Sequence, residues 1–173
     1  MKIGIIGAGT MGNGIAHVFS LYNHTVMISD ISEEILKNAL IIIKQNMQRQ
    51  CKKNIINIQN MNQALGNISI STDLNQLNDY DLIIEAVKED FEIKSKIFED
   101  LDKICKVQTI FASNTSSISI NKLAHKTSRK ENFLGMHFMN PVPMMKLVEV
   151  IKGNDTSDKT VEFIMKLINN INK

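Results

Sequence analysis

His137 and Glu149 flank the only two prolines in the 173-residue chain, Pro141 and Pro143. A histidine oriented by a carboxylate is the usual general base near neutral pH, because an imidazole with an ordinary pKa of about 6.5 can both take and return a proton. Two prolines around one valine fix φ twice and remove two amide donors, which makes a stiff, non-helical turn. The apolar segments on either side, 132–138 and 146–151, read as strands. A strand, a rigid turn and a second strand would hold the histidine and the glutamate face to face. The plain alternative for His137 is a buried structural histidine, and the same reading suits His17, His24 and His125.

A second chemical signal opens the chain. Gly7-Ala8-Gly9-Thr10-Met11-Gly12 follows a short apolar run and precedes a helical pattern. In the G-x-G-x-x-G arrangement the glycines serve a tight turn, close approach of a pyrophosphate to the backbone, and tight helix–strand packing. The helix start then offers amide donors and a positive dipole end to the diphosphate. Gly7, Gly9, Thr10, Met11 and Gly12 are therefore the expected cofactor contacts. Asp30 lies 18 positions beyond Gly12, where an acid can accept hydrogen bonds from an adenosine ribose and repel a 2′-phosphate. With no lysine or arginine beside it, Asp30 predicts NAD rather than NADP; a helix-capping aspartate is the plainer reading.

These residues need a scaffold, and the patterning supplies one. Strands are predicted at 2–6, 25–29, 68–71, 81–85 and 109–112, in addition to the pair around the prolines. Helices are predicted at 12–21, from Ser32-Glu33-Glu34 to about Cys51, at 55–65, 93–104 and 119–125, and at 156–171. Alternating strands and helices imply parallel βαβ units in a doubly wound α/β sheet. The helices after the second strand form a hairpin insertion. The last helix carries Val161, Phe163, Ile164, Leu167, Ile168 and Ile171, a wider apolar set than one stripe needs. No repeat, linker or low-complexity tract interrupts residues 1–173, which read as a single domain.

Composition excludes several classes. A net charge of +2 gives no argument for nucleic acid or a membrane surface. No apolar stretch reaches the roughly 18–20 residues of a membrane helix, and the opening five-residue apolar run is too short for a signal peptide. Cys51 and Cys105 stand in no metal-ligand spacing, so no metal site is expected. Unpaired thiols fit a cytoplasmic protein.

Four segments together carry a resemblance: GAGTMGNGIA at 7–16, DLIIEAV at 81–87, ASNTSSISI at 112–120 and GMHFMNPVPMMKLVEVI at 135–151. The chain resembles the short-chain 3-hydroxyacyl-CoA dehydrogenases, especially the bacterial 3-hydroxybutyryl-CoA dehydrogenases. The resemblance implies a Rossmann-like NAD-binding domain that interconverts a 3-hydroxyacyl-CoA and its 3-oxo form. It implies His137 as catalytic base, Glu149 as its orienting partner, and Ser116 at the substrate's reacting oxygen and beside the cofactor. Asn140 would lie by the nicotinamide, and Glu89 and Lys94 would touch the cofactor. Asn46 and Lys53 would meet the coenzyme A moiety of an acyl-CoA substrate, with Lys53 pairing with a phosphate. Met139 and Lys88 depart mildly from the family pattern. The family also continues into a helical domain that forms the dimer, closes over the substrate and adds an active-site asparagine. Two expectations stay open: a chain completed by that part, as a homodimer or through a separate helical domain, or a cofactor-binding remnant with weak or no turnover.

Overall fold

The computed structural model describes all 173 residues. Strand β1 (Lys2–Ile6) leads through the glycine loop into helix α1 (Thr10–Leu21), then β2 (Thr25–Ser29). Helices α2 (Glu33–Lys52) and α3 (Ile58–Gly66) form the hairpin before β3 (Ile68–Ser71). Next come β4 (Leu82–Glu85), α4 (Phe91–Ile104), β5 (Ile110–Ser113) and α5 (Ile120–Ala124). The chain closes with β6 (Phe133–Phe138), β7 (Val148–Lys152) and α6 (Asp158–Asn170).

All seven strands join one sheet in the order β3-β2-β1-β4-β5-β6-β7, parallel throughout except for the antiparallel β6–β7 pair. Strand order reverses between β1 and β4, so the crevice beyond their carboxyl ends is where a doubly wound sheet takes its ligand. Helices cover both faces, which is why β4 reads Leu-Ile-Ile without alternation and Leu82, Ile83 and Ile84 are all fully buried. On one face Phe19 of α1, Leu36 and Ile43 of α2, and Ile164 and Leu167 of α6 share a core. On the other, Phe98 of α4 packs on Phe111 and Phe133 of the sheet with ring centroids 5.6 and 4.7 Å away.

Helix ends depart from expectation where side chains cap them. Helix α3 starts at Ile58 rather than 55, because Asn57 accepts the Asn60 amide at 2.7 Å and Asn54 turns the chain with φ 54°. Helix α4 starts at Phe91 rather than 93, since Asp90 accepts from Glu92 N and Ile93 N at 3.0 Å. Helix α1 begins inside the glycine loop, at Thr10, with Gly9 as its cap residue. In α6, Ile164, Leu167 and Ile168 pack on the sheet and Ile171 is buried just beyond its end, whereas Phe163 keeps 43% of its surface exposed.

Candidate active site

The β6–β7 register sets His137 directly opposite Glu149, and His137 Nδ1 lies 2.7 Å from Glu149 Oε2. Donation of the Nδ1 proton to the carboxylate leaves the lone pair on Nε2, the tautomer a general base requires. The turn between the strands is pinned: Val142 is 2% exposed and packs where Gly14 of α1 has no side chain. A methyl on Gly14 would come within 3.0 Å of the Val142 side chain. At the other end, Phe138 N donates to Asn114 Oδ1 at 2.8 Å, tying β6 to the loop after β5.

The glycine loop shows the work of each glycine. Gly7 has φ +97°, and a methyl there would meet the Ala86 carbonyl oxygen at 2.8 Å. A methyl on Gly12 would overlap the carbonyl oxygen of Gly7. A side chain on Gly9 would point into open space with nothing within 4 Å, so its absence leaves room for a ligand at the start of α1. Asp30 ties the loop to β2, with Oδ2 accepting Ala8 N at 2.8 Å and Oδ1 accepting Ser32 N at 3.3 Å. The cap of α2 is Ser32, which accepts from Ile35 N, so Asp30 is not spent as the capping group. Each of its carboxylate oxygens keeps a further lone pair for a ribose hydroxyl. A bare glycine at a helix start and an acid 2.8 Å from the loop fit a dinucleotide.

His137 and Ser116 stand in the wall between two clefts. One, of about 310 Å³, runs from Met11 across Glu89 to Asn140; the other, of about 320 Å³, runs from Ser117 to Gly153 and includes Glu149. The fold thus gathers Met11, Ser116, Glu89, Asn140, His137 and Glu149 in one region. Lys94 also borders the first cleft but is 1% exposed, and its ammonium is engaged by Glu85, Val87 and Glu89. Asn46 and Lys53 lie apart on α2 and just beyond it, and border neither cleft; Asn46 accepts from Arg49 at 3.1 Å. His17 is buried against Gln50 at 3.0 Å, and burial pushes its pKa down. His125 engages the Asn121 carbonyl oxygen of its own helix at 2.7 Å.

Sequence reasoning passed over Asn114, Thr115 and Glu85. Glu85 is fully buried, and neither spacing nor hydropathy distinguishes it from an ordinary strand-end acid. Thr115 acts on Glu89. Burial by itself would raise its carboxyl, but the hydroxyls of Thr115 and Ser117 and the Lys94 ammonium outweigh that and hold it at about 2, against an ordinary 4.5. A carboxyl lowered in the folded chain contributes stability above about 4.5 that is lost as pH falls toward about 2. Glu89→Gln should therefore melt below the unmutated chain at neutral pH, with the two curves converging as pH approaches 2. Thermal melts across that pH range check it, and a constant difference would disprove it.

A glycine loop and a histidine–carboxylate pair around the crevice at the sheet's switch point fit a domain that binds a nicotinamide dinucleotide. Comparison with known proteins narrows this class. Residues 2–173 match the family described as "3-hydroxyacyl-CoA dehydrogenase, NAD binding domain". The chain is 46% identical to a 3-hydroxybutyryl-CoA dehydrogenase of Bradyrhizobium diazoefficiens, over 96% of this chain and 58% of that protein. It is 41% identical to the mitochondrial hydroxyacyl-coenzyme A dehydrogenase of Rattus norvegicus, over 98% of this chain and 56% of the other. The crystal structure of (S)-3-hydroxybutyryl-CoA dehydrogenase from Ralstonia eutropha superposes with a TM-score of 0.97 at 42% identity, covering 99% of this chain and 61% of that one. The chain belongs to the 3-hydroxyacyl-CoA dehydrogenase family and corresponds to its NAD-binding domain. It spans about three fifths of the length of these relatives. No helix is long and apolar enough to cross a membrane, and no cluster of three or more His, Cys, Asp or Glu side chains is placed to hold a metal.

Proposed function

We propose that this chain carries the cofactor-binding and acid–base machinery for NAD-dependent oxidation of a 3-hydroxyacyl-CoA to the 3-oxoacyl-CoA, or for the reverse reduction of acetoacetyl-CoA. The observation that supports this most is the His137–Glu149 pair, 2.7 Å apart, in the wall shared by the two clefts. The glycine loop and Asp30 would hold the dinucleotide, with Glu89 and Asn140 along the first cleft. NAD, when bound, supplies the hydride acceptor. His137 Nε2 takes the proton of the substrate hydroxyl, and Glu149 steadies the imidazolium that forms. Ser116 donates a hydrogen bond to the oxygen as negative charge develops on it. In reduction the imidazolium returns the proton. Lys53 would pair with a coenzyme A phosphate and Asn46 would lie nearby.

A second reading is favoured by exposure around the pair. Glu149 has 54% of its side chain exposed, and Met144 and Leu147 nearby are 77% and 56% exposed. Water reaching the pair weakens its electrostatics and its positioning of substrate. On this reading the chain alone binds cofactor with little turnover, and a helical part or a second copy completes the site.

Two measurements on the 173-residue chain separate these readings. NADH consumption with acetoacetyl-CoA at an ordinary dehydrogenase rate supports the first, and NADH binding without consumption supports the second. Titration with NADH and NADPH should show tighter binding of NADH, and Asp30→Ala should narrow the difference. Because a ligand at about a hundred times its dissociation constant stabilises a fold by ~2.7 kcal/mol, a melting shift reports the same preference. Equal affinity for both dinucleotides in the unmutated chain would overturn the Asp30 assignment.

A further inference from the structure

We infer that Glu85 and Lys94 are positioning residues: through the carboxylate of Glu89, this buried ion pair holds the 115–117 segment, and with it Ser116, against the cofactor cleft. For its catalytic meaning this rests on the function proposed above. The geometry stands by itself.

Glu85 is fully buried, and its carboxylate is used up inside the protein. One oxygen accepts from Lys94 Nζ at 2.6 Å and from Val87 N at 2.7 Å, and the other from Ser113 Oγ at 2.6 Å. Lys94 Nζ donates to Glu85 and to the Val87 carbonyl oxygen at 3.3 Å, and forms an ion pair with Glu89 Oε2 at 3.2 Å. Lys94 is 1% exposed and held between two carboxylates, so it anchors its second partner to the first. That second partner is Glu89. Its Oε1 gathers the Thr115 hydroxyl, the Ser117 hydroxyl at 2.9 Å, and the amides of Ser116 and Ser117 at 3.2 and 3.3 Å. Thr115 Oγ1 then accepts from the amides of Ser117 and Ile118 at 3.3 and 2.9 Å.

Four donors converging on one carboxylate oxygen leave the segment a single arrangement. That arrangement places Ser116 beside His137 in the wall of both clefts. A buried ion pair is a poor device for stability, because desolvation cancels most of its attraction and an apolar pair of similar size usually serves as well. Its place here, at the end of β4 under the cleft, is explained by what it orients.

Removing one partner alone would strand a buried charge, so the informative variant is the neutral pair Glu85→Gln with Lys94→Met. It keeps volume and leaves no buried orphan charge, but removes the cation that ties Glu89 to the end of β4. The first readout is amide hydrogen exchange, which needs no ligand. Exchange at Ser116 and Ser117 should quicken roughly tenfold or more, with the core strands unchanged. The second is NADH affinity, expected to fall by roughly tenfold because the cleft is no longer preorganised. A folded double variant with unaltered exchange at these amides would overturn the proposal, since a merely structural pair is replaceable. Failure of the unmutated chain to bind NADH would instead count against the proposed function and leave the exchange result standing. Should the double variant not fold, Glu89→Gln decides. The Lys94 ammonium resonance should shift and the two amides exchange faster, and an unmoved Lys94 signal refutes the link.

Discussion

His137→Gln should lower turnover of 3-hydroxyacyl-CoA by ~10²- to 10⁴-fold, the usual contribution of a positioned general base, while NADH binds nearly as before. Glutamine keeps much of the volume but cannot take the proton. His137 lies at the cleft wall with 22% of its side chain exposed, so the change opens no core cavity. Glu149→Gln should lower turnover less, by loosening the tautomer and orientation of the ring rather than removing it. Steady-state rates with acetoacetyl-CoA and NADH check both, on this chain alone or with a helical domain added. Near-normal turnover in His137→Gln would remove it as the base. Weaker NADH binding in the same variant would point instead to a distorted cleft.

Gly12→Ala should have the largest effect on cofactor binding and a clear effect on stability. The added methyl would overlap the Gly7 carbonyl oxygen, a backbone atom that cannot rotate away. Helix α1 would have to move off β1, and its first turn carries the loop amides that are to meet the diphosphate. Overpacking of this kind costs typically ~1–3 kcal/mol in stability. For a domain of about this size each kcal/mol lowers the melting temperature by roughly 2–4 °C. NADH titration and a melting curve test the two consequences together. Gly9→Ala is the control, because a methyl there meets nothing within 4 Å. It should leave the melting temperature nearly unchanged and weaken only the binding of a ligand that approaches that backbone. If Gly12→Ala melted and bound like the unmutated chain, the close contact between α1 and β1 would not exist as described.

Some elements were legible in the chain because short-range chemistry fixes them. The strands predicted at 2–6, 25–29 and 68–71 have the observed bounds, since a turn punctuated by glycine or asparagine brackets each apolar run. The Ser32 cap of α2 was legible for the same reason, as a serine just before two acidic first-turn residues. The caps Asn57 and Asp90 were not. An asparagine or aspartate in a polar stretch is a cap only once the chain turns there, so α3 and α4 began at residues other than those expected.

The site divides along the same line. Sequence spacing placed the glycine loop and Asp30 at opposite ends of one βαβ unit, and a single parallel register, Ile6 beside Ser29, brings them together. The prolines indicated a turn between strands carrying His137 and Glu149. A connection of nine residues, 139 to 147, nevertheless permits several registers, and a slip by one would point the glutamate to the other face. What fixes the register is Val142 buried against Gly14 of α1, a contact more than a hundred residues apart in the chain. The partners of Glu85, Lys94 and Glu89 were further still from legibility. These three residues meet Ser113, Thr115 and Ser116 only because β4 and β5 lie side by side with Glu85 opposite Ser113. The sequence by itself determined which residue types were available and which local segments could form. Which of them share a hydrogen bond was decided by the sheet, because a buried carboxylate or ammonium must find its partners wherever packing has excluded water.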